Sequence, residues 1–276
     1  MKFTKMHGCG NDYIYVNCMQ EKIDNRSQLA IKVSDRHFGI GSDGLICIDS
    51  SEIADFKMDM YNADGSQGKM CGNGIRCVGK YVYDYGLTDK THITVETLAG
   101  IKTLELYLED DHVHSVRVCM GQPDFRAASI PVLCNSQTAV MIPVQVRDES
   151  YYATCVSMGN PHAVIFANDV DSIKLAELGP LFENHALFPE RINTEFVQVL
   201  GDGNLKMRVW ERGSGETLAC GTGTCAALAA AVICGKSERT ATVFVKGGSV
   251  DVQWCTEDNM IYMTGPAEIV FDGELR

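Results

Sequence analysis

The segment Ala219-Cys220-Gly221-Thr222-Gly223 decides the fold, because it repeats an earlier segment, Met70-Cys71-Gly72-Asn73-Gly74. The two cysteines are 149 residues apart in a chain of 276 residues, so each half of the chain carries one copy. Self-similarity at a fixed spacing is the sequence signature of a repeated structural unit. Two more blocks repeat at this spacing: the Gly-Asn pairs at 10–11 and 159–160, and the turns at 61–66 and 210–215. The sequence therefore predicts two similar halves.

Both halves have the same predicted order of secondary structure. Each has alternating apolar residues, typical of a strand, then the glycine-rich turn with its cysteine, then a helical run and another strand. The two copies of these elements lie at 56–61 and 205–210, at 75–85 and 224–234, and at 93–96 and 240–245. Gly86 and Gly235 follow the helical runs, where glycine is the usual helix stop. The second helical run is apolar on all sides, which predicts a helix buried against a sheet.

The composition is that of a globular protein, with 45% apolar residues, 22% charged residues, 26 glycines and 7 prolines. It argues against a disordered, collagen-like or coiled-coil chain. The formal charge of −12 disfavours nucleic acid and acidic membrane surfaces as partners. Residues 1–18 show no secretion signal, and no segment approaches the roughly 20 apolar residues of a membrane span. We therefore expect a cytoplasmic protein with no nucleic-acid or membrane partner.

The twelve cysteines form no recognisable disulfide or zinc pattern. They make up about 4% of the chain, below the roughly 8–10% of short disulfide-rich domains. No C-x2-C pair occurs, and the closest pairs, Cys71 with Cys77 and Cys220 with Cys225, have spacings that zinc sites do not use. We therefore expect free thiols and no metal, with most of the cysteines buried as small apolar side chains.

The glycine-rich turns match nucleotide-binding loops only in part. Residues 221–226 fit G-x-G-x-x-A, but the preceding strand ends about nine residues earlier and no acidic residue ends the strand at 240–245. Residues 74–80 fit G-x-x-x-x-G-K, but Tyr81 stands where the magnesium-binding Ser or Thr would be. The sequence therefore disfavours a nucleotide ligand.

A cysteine followed by Gly-x-Gly at the start of a helix suits a reaction next to a carboxylate. Free backbone N–H groups and the helix dipole attract a carboxylate, and the same field is expected to lower the pKa of the thiol. If pseudo-twofold symmetry relates the halves, Cys71 and Cys220 face each other across one anion site. Two acid–base groups on opposite sides of one carbon are what a cofactor-free racemase or epimerase needs.

The repeated segments resemble the paired signatures of the diaminopimelate epimerase family. The matching blocks are KMHGCGND (5–12), YNADGS (61–66), MCGNGIRC (70–77), MGNPH (158–162), ERG (211–213), ACGTGT (219–224) and TGPA (264–267). The similarity runs from Lys5 to about Gly273, which is nearly the whole chain.

The resemblance implies an α/β chain of the α+β type with two pseudo-symmetric domains, each a mixed curved β-sheet around a central α-helix. The expected domains are 1–119, to which the C-terminal strand 266–276 returns, and 120–265. The implied enzyme is an isomerase that epimerises LL- to meso-2,6-diaminopimelate without PLP or another cofactor, in lysine and peptidoglycan-precursor biosynthesis. The expected partner is this small-molecule substrate, and a homodimer remains open.

The resemblance also implies roles for individual residues. Cys71 and Cys220 are the expected acid–base pair, and His162 and Glu211 are expected to bias the protonation of these thiols. The implied substrate-binding residues are Asn11, Asn62, Gly72, Asn73, Asn160, Asn193, Glu211, Arg212, Gly221 and Thr222. An arginine suits the second carboxylate of the substrate, because a guanidinium binds a carboxylate through two parallel hydrogen bonds.

The same residues also allow other interpretations. Asn11 and Asn160 are of a type common in turns, His162 could be structural, and Arg212 could be a solvated charge. A proline or hydroxyproline racemase would share both cysteines but carries histidine after Cys-Gly, where this chain has Asn73. A thiol redox or metal-binding protein is an alternative from a different class, which a metal assay would distinguish. A structural protein with buried thiols would not explain the repeat.

Overall fold

The computed structural model describes residues 1–276 as two compact units. One unit consists of Met1–Cys119 and Thr264–Arg276, and the other of Met120–Met263. We call them the N-terminal and the C-terminal unit. The last segment of the chain thus belongs to the N-terminal unit. None of the helices combines the length and the apolar character that a membrane span requires.

Four α-helices and eighteen strands follow one another along the chain, with one 3₁₀ turn at Ala127–Ser129. In chain order they are β1 (Lys2–Gly8), β2 (Asn11–Asn17), α1 (Arg26–Ser34), β3 (Gly44–Asp49), β4 (Phe56–Asn62), β5 (Gln67–Gly68), α2 (Gly72–Asp84), β6 (His92–Thr97), β7 (Gly100–Glu109), β8 (His112–Gly121), β9 (Ile142–Val146), β10 (Glu149–Ser157), β11 (Pro161–Phe166), α3 (Leu175–Glu183), β12 (Asn193–Val199), β13 (Leu205–Glu211), β14 (Gly215–Glu216), α4 (Gly221–Ile233), β15 (Thr240–Val245), β16 (Gly248–Trp254), β17 (Ile261–Pro266) and β18 (Glu268–Glu274).

The N-terminal unit is a mixed sheet that packs on α2. Its strand order is β18-β1-β2-β3-β4-β6-β7-β8. β2 runs parallel to β3 and β4 runs parallel to β6, while the other neighbours in this order are antiparallel. β1, β2 and β7 contact α2, in which Ile75 and Val78 are fully buried. The sheet therefore packs against the apolar side of α2.

The C-terminal unit repeats this plan around α4. Its strand order is β9-β10-β11-β12-β13-β15-β16, with β11 parallel to β12 and β13 parallel to β15. Six of these strands, β10 to β13, β15 and β16, contact α4. Its residues Cys225 to Ala231 are fully buried, so the prediction of a buried apolar helix is confirmed.

The repeat seen in the sequence is also a repeat of structure. Three elements of the first half recur with the same bounds 149 residues later: α1 as α3, β4 as β13, and α2 as α4. The predicted strands of both halves are present, each within one or two residues of its expected ends. The predicted two-part α+β fold, with a mixed sheet and a central helix in each half, is confirmed.

The two central helices begin earlier than the sequence predicts. They start at Gly72 and Gly221, three residues before the expected positions, so Cys71 and Cys220 are their N-cap residues. The predicted starts are wrong because glycine-rich segments such as Gly-x-Gly are typical of turns. It forms the first helical turn, and the carbonyl of each cysteine accepts the first intrahelical N–H at 2.9 Å.

The predicted helix stops are confirmed. Gly86 and Gly235 have positive φ values of 69° and 65°, in the left-handed region that glycine adopts without steric cost. The N–H group of each glycine bonds back to a carbonyl of the preceding helical turn. Both helices therefore end in a glycine cap.

Candidate active site

The two cysteines have the same backbone setting in their own units. Cys71 (φ −128°, ψ 122°) and Cys220 (φ −119°, ψ 110°) are both extended and directly precede a helix. The first N–H groups of a helix have no intrahelical acceptor, and the helix dipole makes this end attractive to negative charge. Each cysteine thus stands at a potential carboxylate-binding helix end.

In the N-terminal unit, Asn11 connects the cysteine to β2. The Cys71 thiol donates to Asn11 Oδ1 at 3.2 Å, and Asn73 Nδ2 donates to the same oxygen at 3.4 Å. The Gly74 N–H donates to Cys71 Sγ at 3.3 Å. Cys71, Gly72 and Asn73 at the start of α2 are thereby joined to Asn11 at the start of β2.

A cluster of charged residues binds the Nδ2 group of Asn11, opposite the oxygen that contacts Cys71. Asn11 Nδ2 donates to Asp43 Oδ2 at 2.7 Å, and Arg36 bridges Asp43 and Asp12 at 3.0 and 2.9 Å. Lys5 pairs with Asp12 at 2.9 Å. Burial favours the neutral form of Asp12, but hydrogen bonds from Arg36 and Lys5 outweigh it and lower the pKa of this carboxyl. The Asn11 amide therefore has a fixed orientation, with Oδ1 toward the thiol.

In the C-terminal unit, Cys220 has two polar neighbours with opposite effects on the pKa of its thiol. The negative charge of the Glu211 carboxylate adds to the effect of burial in raising the pKa of the thiol, and Thr217 Oγ1 donates to Glu211 Oε1 at 2.5 Å. On another side, Thr222 Oγ1 lies 3.6 Å from Cys220 Sγ. Glu211 favours the protonated thiol, whereas a hydroxyl that donates to sulfur favours the thiolate.

A buried relay leads from Thr222 to a carboxylate below α4. Asn160 Nδ2 donates to Thr222 Oγ1 at 3.2 Å, and Asn160 Oδ1 lies 3.0 Å from His162 Nε2. His162 Nδ1 lies 2.7 Å from Glu195 Oε1, and both side chains are 0% exposed. Because amide Oδ1 only accepts, His162 Nε2 carries a proton and donates to it. The contact between His162 Nδ1 and Glu195 Oε1 completes the relay.

The expectation that the helix end lowers the thiol pKa is wrong for Cys220. Burial raises the pKa of the Cys220 thiol well above its ordinary value, and the negative charges of Glu211 and Glu195 raise it further. Hydrogen bonds from Thr222 and from the backbone oppose the rise without reversing it. Burial also raises the pKa of Glu211. The structure therefore holds Cys220 as a neutral thiol.

Asn193 and Arg212 form a second group in the C-terminal unit. Asn193 Nδ2 donates to the Pro161 carbonyl at 2.8 Å, and its Oδ1 accepts the Arg212 N–H at 2.9 Å. The Arg212 guanidinium donates from Nη1 to the Glu190 carbonyl at 3.0 Å. Asn193 thus fixes the backbone on which Arg212 is carried.

The structure brings most of the predicted residues together within their own units, with one exception. Asn62 ends β4, is exposed, and donates to Ser66 Oγ at 3.0 Å, with no hydrogen bond to the group around Cys71. In the C-terminal unit, Gly221 forms the first residue of α4 beside Cys220. No group of three or more His, Cys, Asp or Glu side chains is arranged to hold a metal ion, and all twelve cysteines are free.

Sequence reasoning missed three polar residues that support this site: Asp43, Glu195 and Thr217. Glu195 had a visible signal, because it is the one acidic residue in an otherwise buried strand and pairs with Val164 of β11. A Cβ on Gly223 would lie 2.8 Å from Glu195 Oε1, so glycine at this position leaves room for the carboxylate beside α4. The repeat places Ile46 at the matching position of the other half.

The chain matches the family model described as Diaminopimelate epimerase over residues 3–126 and 154–270. A protein named diaminopimelate epimerase from Acetivibrio thermocellus is 58% identical over 275 residues, covering 100% of this chain and 98% of that protein. Proteins of the same name from Agathobacter rectalis and Methanococcus maripaludis are 56% and 55% identical, each covering 100% of this chain and 99% of the relative.

Solved structures with low sequence identity share the fold. A hydroxyproline epimerase from Agrobacterium vitis superposes with a TM-score of 0.71 at 15% identity, covering 100% of this chain and 90% of that chain. A methylitaconate-delta-isomerase superposes with a TM-score of 0.63 at 15% identity, covering 99% of this chain and 95% of that chain. The architecture is thus shared by proteins that are named for different activities.

Proposed function

The chain belongs to the diaminopimelate epimerase family, and we propose that it interconverts LL- and meso-2,6-diaminopimelate without a cofactor. The observation that carries the proposal is the paired placement of Cys71 and Cys220, each the N-cap of the central helix of its half. Relatives named for this activity match the chain over its full length. Asn73 after Cys-Gly supports diaminopimelate over proline as the substrate.

We propose a two-base mechanism for the inversion. One cysteine, as thiolate, takes the α-proton, so that a Cα–H bond breaks and an S–H bond forms. The other cysteine, as thiol, donates its proton to the opposite face, so that an S–H bond breaks and a new Cα–H bond forms. Helix N–H groups at 72–73 and 221–222 stabilise the negative charge that spreads into the α-carboxylate. The mechanism requires both thiols to reach one carbon.

The neutral state of Cys220 suits it as proton donor in one direction. In the other direction Cys220 must first lose its proton, and we assign Glu211, whose charge acts on this thiol, as the acceptor. Because burial raises the pKa of Glu211, this carboxylate takes a proton more readily than an exposed one. Thr222 then donates to the thiolate sulfur, and His162 keeps the Asn160–Thr222 pair in place.

The rest of the substrate is an amino acid in its own right. Its distal carboxylate matches the Arg212 guanidinium, which has donors left beyond the one bound to Glu190. Its ammonium groups match neutral amide oxygens, for which we assign Asn11, Asn62, Asn160 and Asn193. These roles account for four of the five asparagines assigned to the site and for its one arginine.

The activity is tested by incubating the purified protein with LL-diaminopimelate, without PLP, and separating the stereoisomers by chiral chromatography. We expect meso-diaminopimelate to appear and a mixture to form from either isomer. L-Proline and trans-4-hydroxy-L-proline, offered under the same conditions, should stay unchanged. Inversion of proline with no reaction of diaminopimelate would overturn the proposal and favour the racemase alternative.

We also infer a cytoplasmic homodimer. Twelve free cysteines suit a reducing compartment. The C-terminal strand β18 exposes the adjacent apolar side chains of Val270 and Phe271, which a second copy would cover. Light scattering on the eluting protein gives the mass directly; a mass of one chain at micromolar concentration would contradict the dimer.

A further inference from the structure

The end of helix α3 carries a buried carboxylate that the mechanism does not use. Glu183 is 7% exposed and accepts three hydrogen bonds. Its Oε1 accepts from the Gly213 N–H at 2.8 Å and from Arg191 Nη1 at 3.1 Å, and its Oε2 accepts from Trp210 Nε1 at 2.7 Å. Burying a carboxylate is costly unless it is well paired. The three donors meet this requirement, and we call Glu183 with its three donors the anchor.

Two of these donors lie on either side of Arg212. Trp210 precedes it by two residues and Gly213 follows it directly, so Glu183 holds the chain before and after the arginine. Asn193 Oδ1 accepts the Arg212 N–H itself at 2.9 Å. The turn that carries the guanidinium is therefore held by hydrogen bonds at three residues, 210, 212 and 213.

Helix α3 approaches this turn closely enough to act on it. A Cβ on Gly179 would lie 2.2 Å from Trp210 Cδ2, so the indole ring packs directly on the helix backbone. Trp210 also packs against the buried apolar cluster of the C-terminal unit. The position of Glu183 is thus fixed by packing as well as by its hydrogen bonds.

The other half of the molecule shows that this anchor is not needed to build the fold. Ser34 ends α1 at the position that matches Glu183, and its hydroxyl accepts from Ser42 Oγ at 3.2 Å. Tyr61 matches Trp210, and Ala63 matches Arg212. The same helix and strands form there with no buried carboxylate. The anchor occurs in the half that carries the arginine.

We propose that Glu183 is a positioning residue for the distal carboxylate of the substrate, acting through the turn that carries Arg212. This inference rests on the proposed function. A guanidinium binds a carboxylate through two parallel hydrogen bonds only when its plane is correctly oriented, and a pinned turn provides that orientation before the substrate arrives. Glu183 makes no contact with the reacting carbon in this account.

The test is Glu183→Gln. This substitution keeps the shape of the side chain but leaves one acceptor oxygen, whereas the donors bind two oxygens of the carboxylate. We expect the KM for LL-diaminopimelate to rise about tenfold, as for one charge-assisted hydrogen bond lost, with kcat changed less than about threefold. Glu177→Gln on the same helix is the matched control, because its side chain is more than half exposed. It should leave both constants unchanged.

A double-mutant cycle separates positioning from a merely structural role. If Glu183 acts through Arg212, adding Glu183→Gln to Arg212→Lys should raise KM no further than Arg212→Lys alone. The inference would be overturned if the two substitutions multiplied their effects on KM. A wild-type KM in Glu183→Gln would overturn it as well. Should Glu183→Gln fail to fold, Trp210→Phe decides, since it removes one donor from the same carboxylate; an unchanged KM there would overturn the inference. Wild-type protein that epimerises no diaminopimelate would instead defeat the proposed function.

Discussion

The turns that carry Cys71 and Cys220 share one backbone but have different neighbours. Both cysteines are N-caps of thirteen-residue helices in mixed sheets of the same topology. At matching positions around them, the first half has Tyr13, Ile46 and Asn62, whereas the second half has His162, Glu195 and Glu211. The backbone is thus the same in both halves, while at these three positions only the second half has a histidine and carboxylates.

This difference gives the two thiols unequal surroundings. Cys71 donates to a neutral amide, Asn11, whereas Cys220 lies beside two carboxylates that raise its pKa. A two-base reaction needs one thiolate and one thiol at the same time, and identical surroundings would not select between them. We infer that the asymmetry in charge makes one protonation state of the pair dominant.

The largest expected effect comes from removing either thiol. Cys71→Ala and Cys220→Ala should each lower the rate of epimerisation by about 10²–10⁴-fold, the usual contribution of a general acid or base. The remaining thiol still serves one face, so elimination from a halogenated analogue is expected to persist in part. Far-ultraviolet circular dichroism should show an unchanged fold. Near-normal turnover in either variant would contradict the two-cysteine mechanism, since the cysteine removed would then be dispensable.

A smaller effect is expected from Glu211→Gln, which removes one of the charges that distinguish the halves. Because Glu211 raises the pKa of Cys220, its loss lowers that pKa and increases the thiolate fraction at pH below it. Iodoacetamide should therefore label Cys220 faster between pH 7 and 8, by about tenfold for each pKa unit. Labelling of Cys71 should not change, as peptide mapping by mass spectrometry would show.

The rate of epimerisation should fall in the same variant, because Glu211 is the proton acceptor that we propose for Cys220. Glu177→Gln serves again as the control and should alter neither labelling nor turnover. A labelling rate of Cys220 that stays the same in Glu211→Gln would mean that burial alone sets the state of this thiol.

The smallest expected effect concerns what the halves have in common. Gly86→Ala and Gly235→Ala place a side chain at φ values of 69° and 65°, with no atom within 4 Å of the new Cβ. The cost is then conformational only, about 1–2 kcal/mol of the free energy of unfolding at each site. Urea unfolding should show similar losses for both variants. A loss in one half alone would mean that the helix caps are not equivalent.

The sequence predicts the scaffold well because the repeat, the apolar alternation and the glycine stops act locally. The helix starts were missed, since cysteine is not a usual N-cap residue and Gly-x-Gly resembles a turn. Glu195 and Glu183 were missed for another reason. Each is a single acidic residue whose partners, His162 and Trp210, are distant in sequence, so only the folded chain reveals the pairing.

The state of Cys220 shows the limit of reasoning from local motifs. The helix end predicts a low pKa, and a backbone N–H at this end does lower the pKa of the thiol, but burial and two carboxylates from other strands outweigh it. Neither the burial of a thiol nor the approach of Glu195 from β12 can be seen in the segment that contains the cysteine. Opposing electrostatic terms must be compared in the folded structure.

Isotope incorporation tests the two-cysteine account most directly. LL-diaminopimelate is incubated with the protein in D2O, and deuterium at the α-carbon is followed by NMR together with the stereochemistry of each molecule. In a two-base reaction the proton removed at one face is not the one returned at the other. We therefore predict that, early in the reaction, the meso product carries deuterium at the inverted carbon while the remaining LL substrate carries almost none. Deuterium appearing equally early in unreacted LL substrate and in product would indicate a single base and contradict the pairing of Cys71 with Cys220.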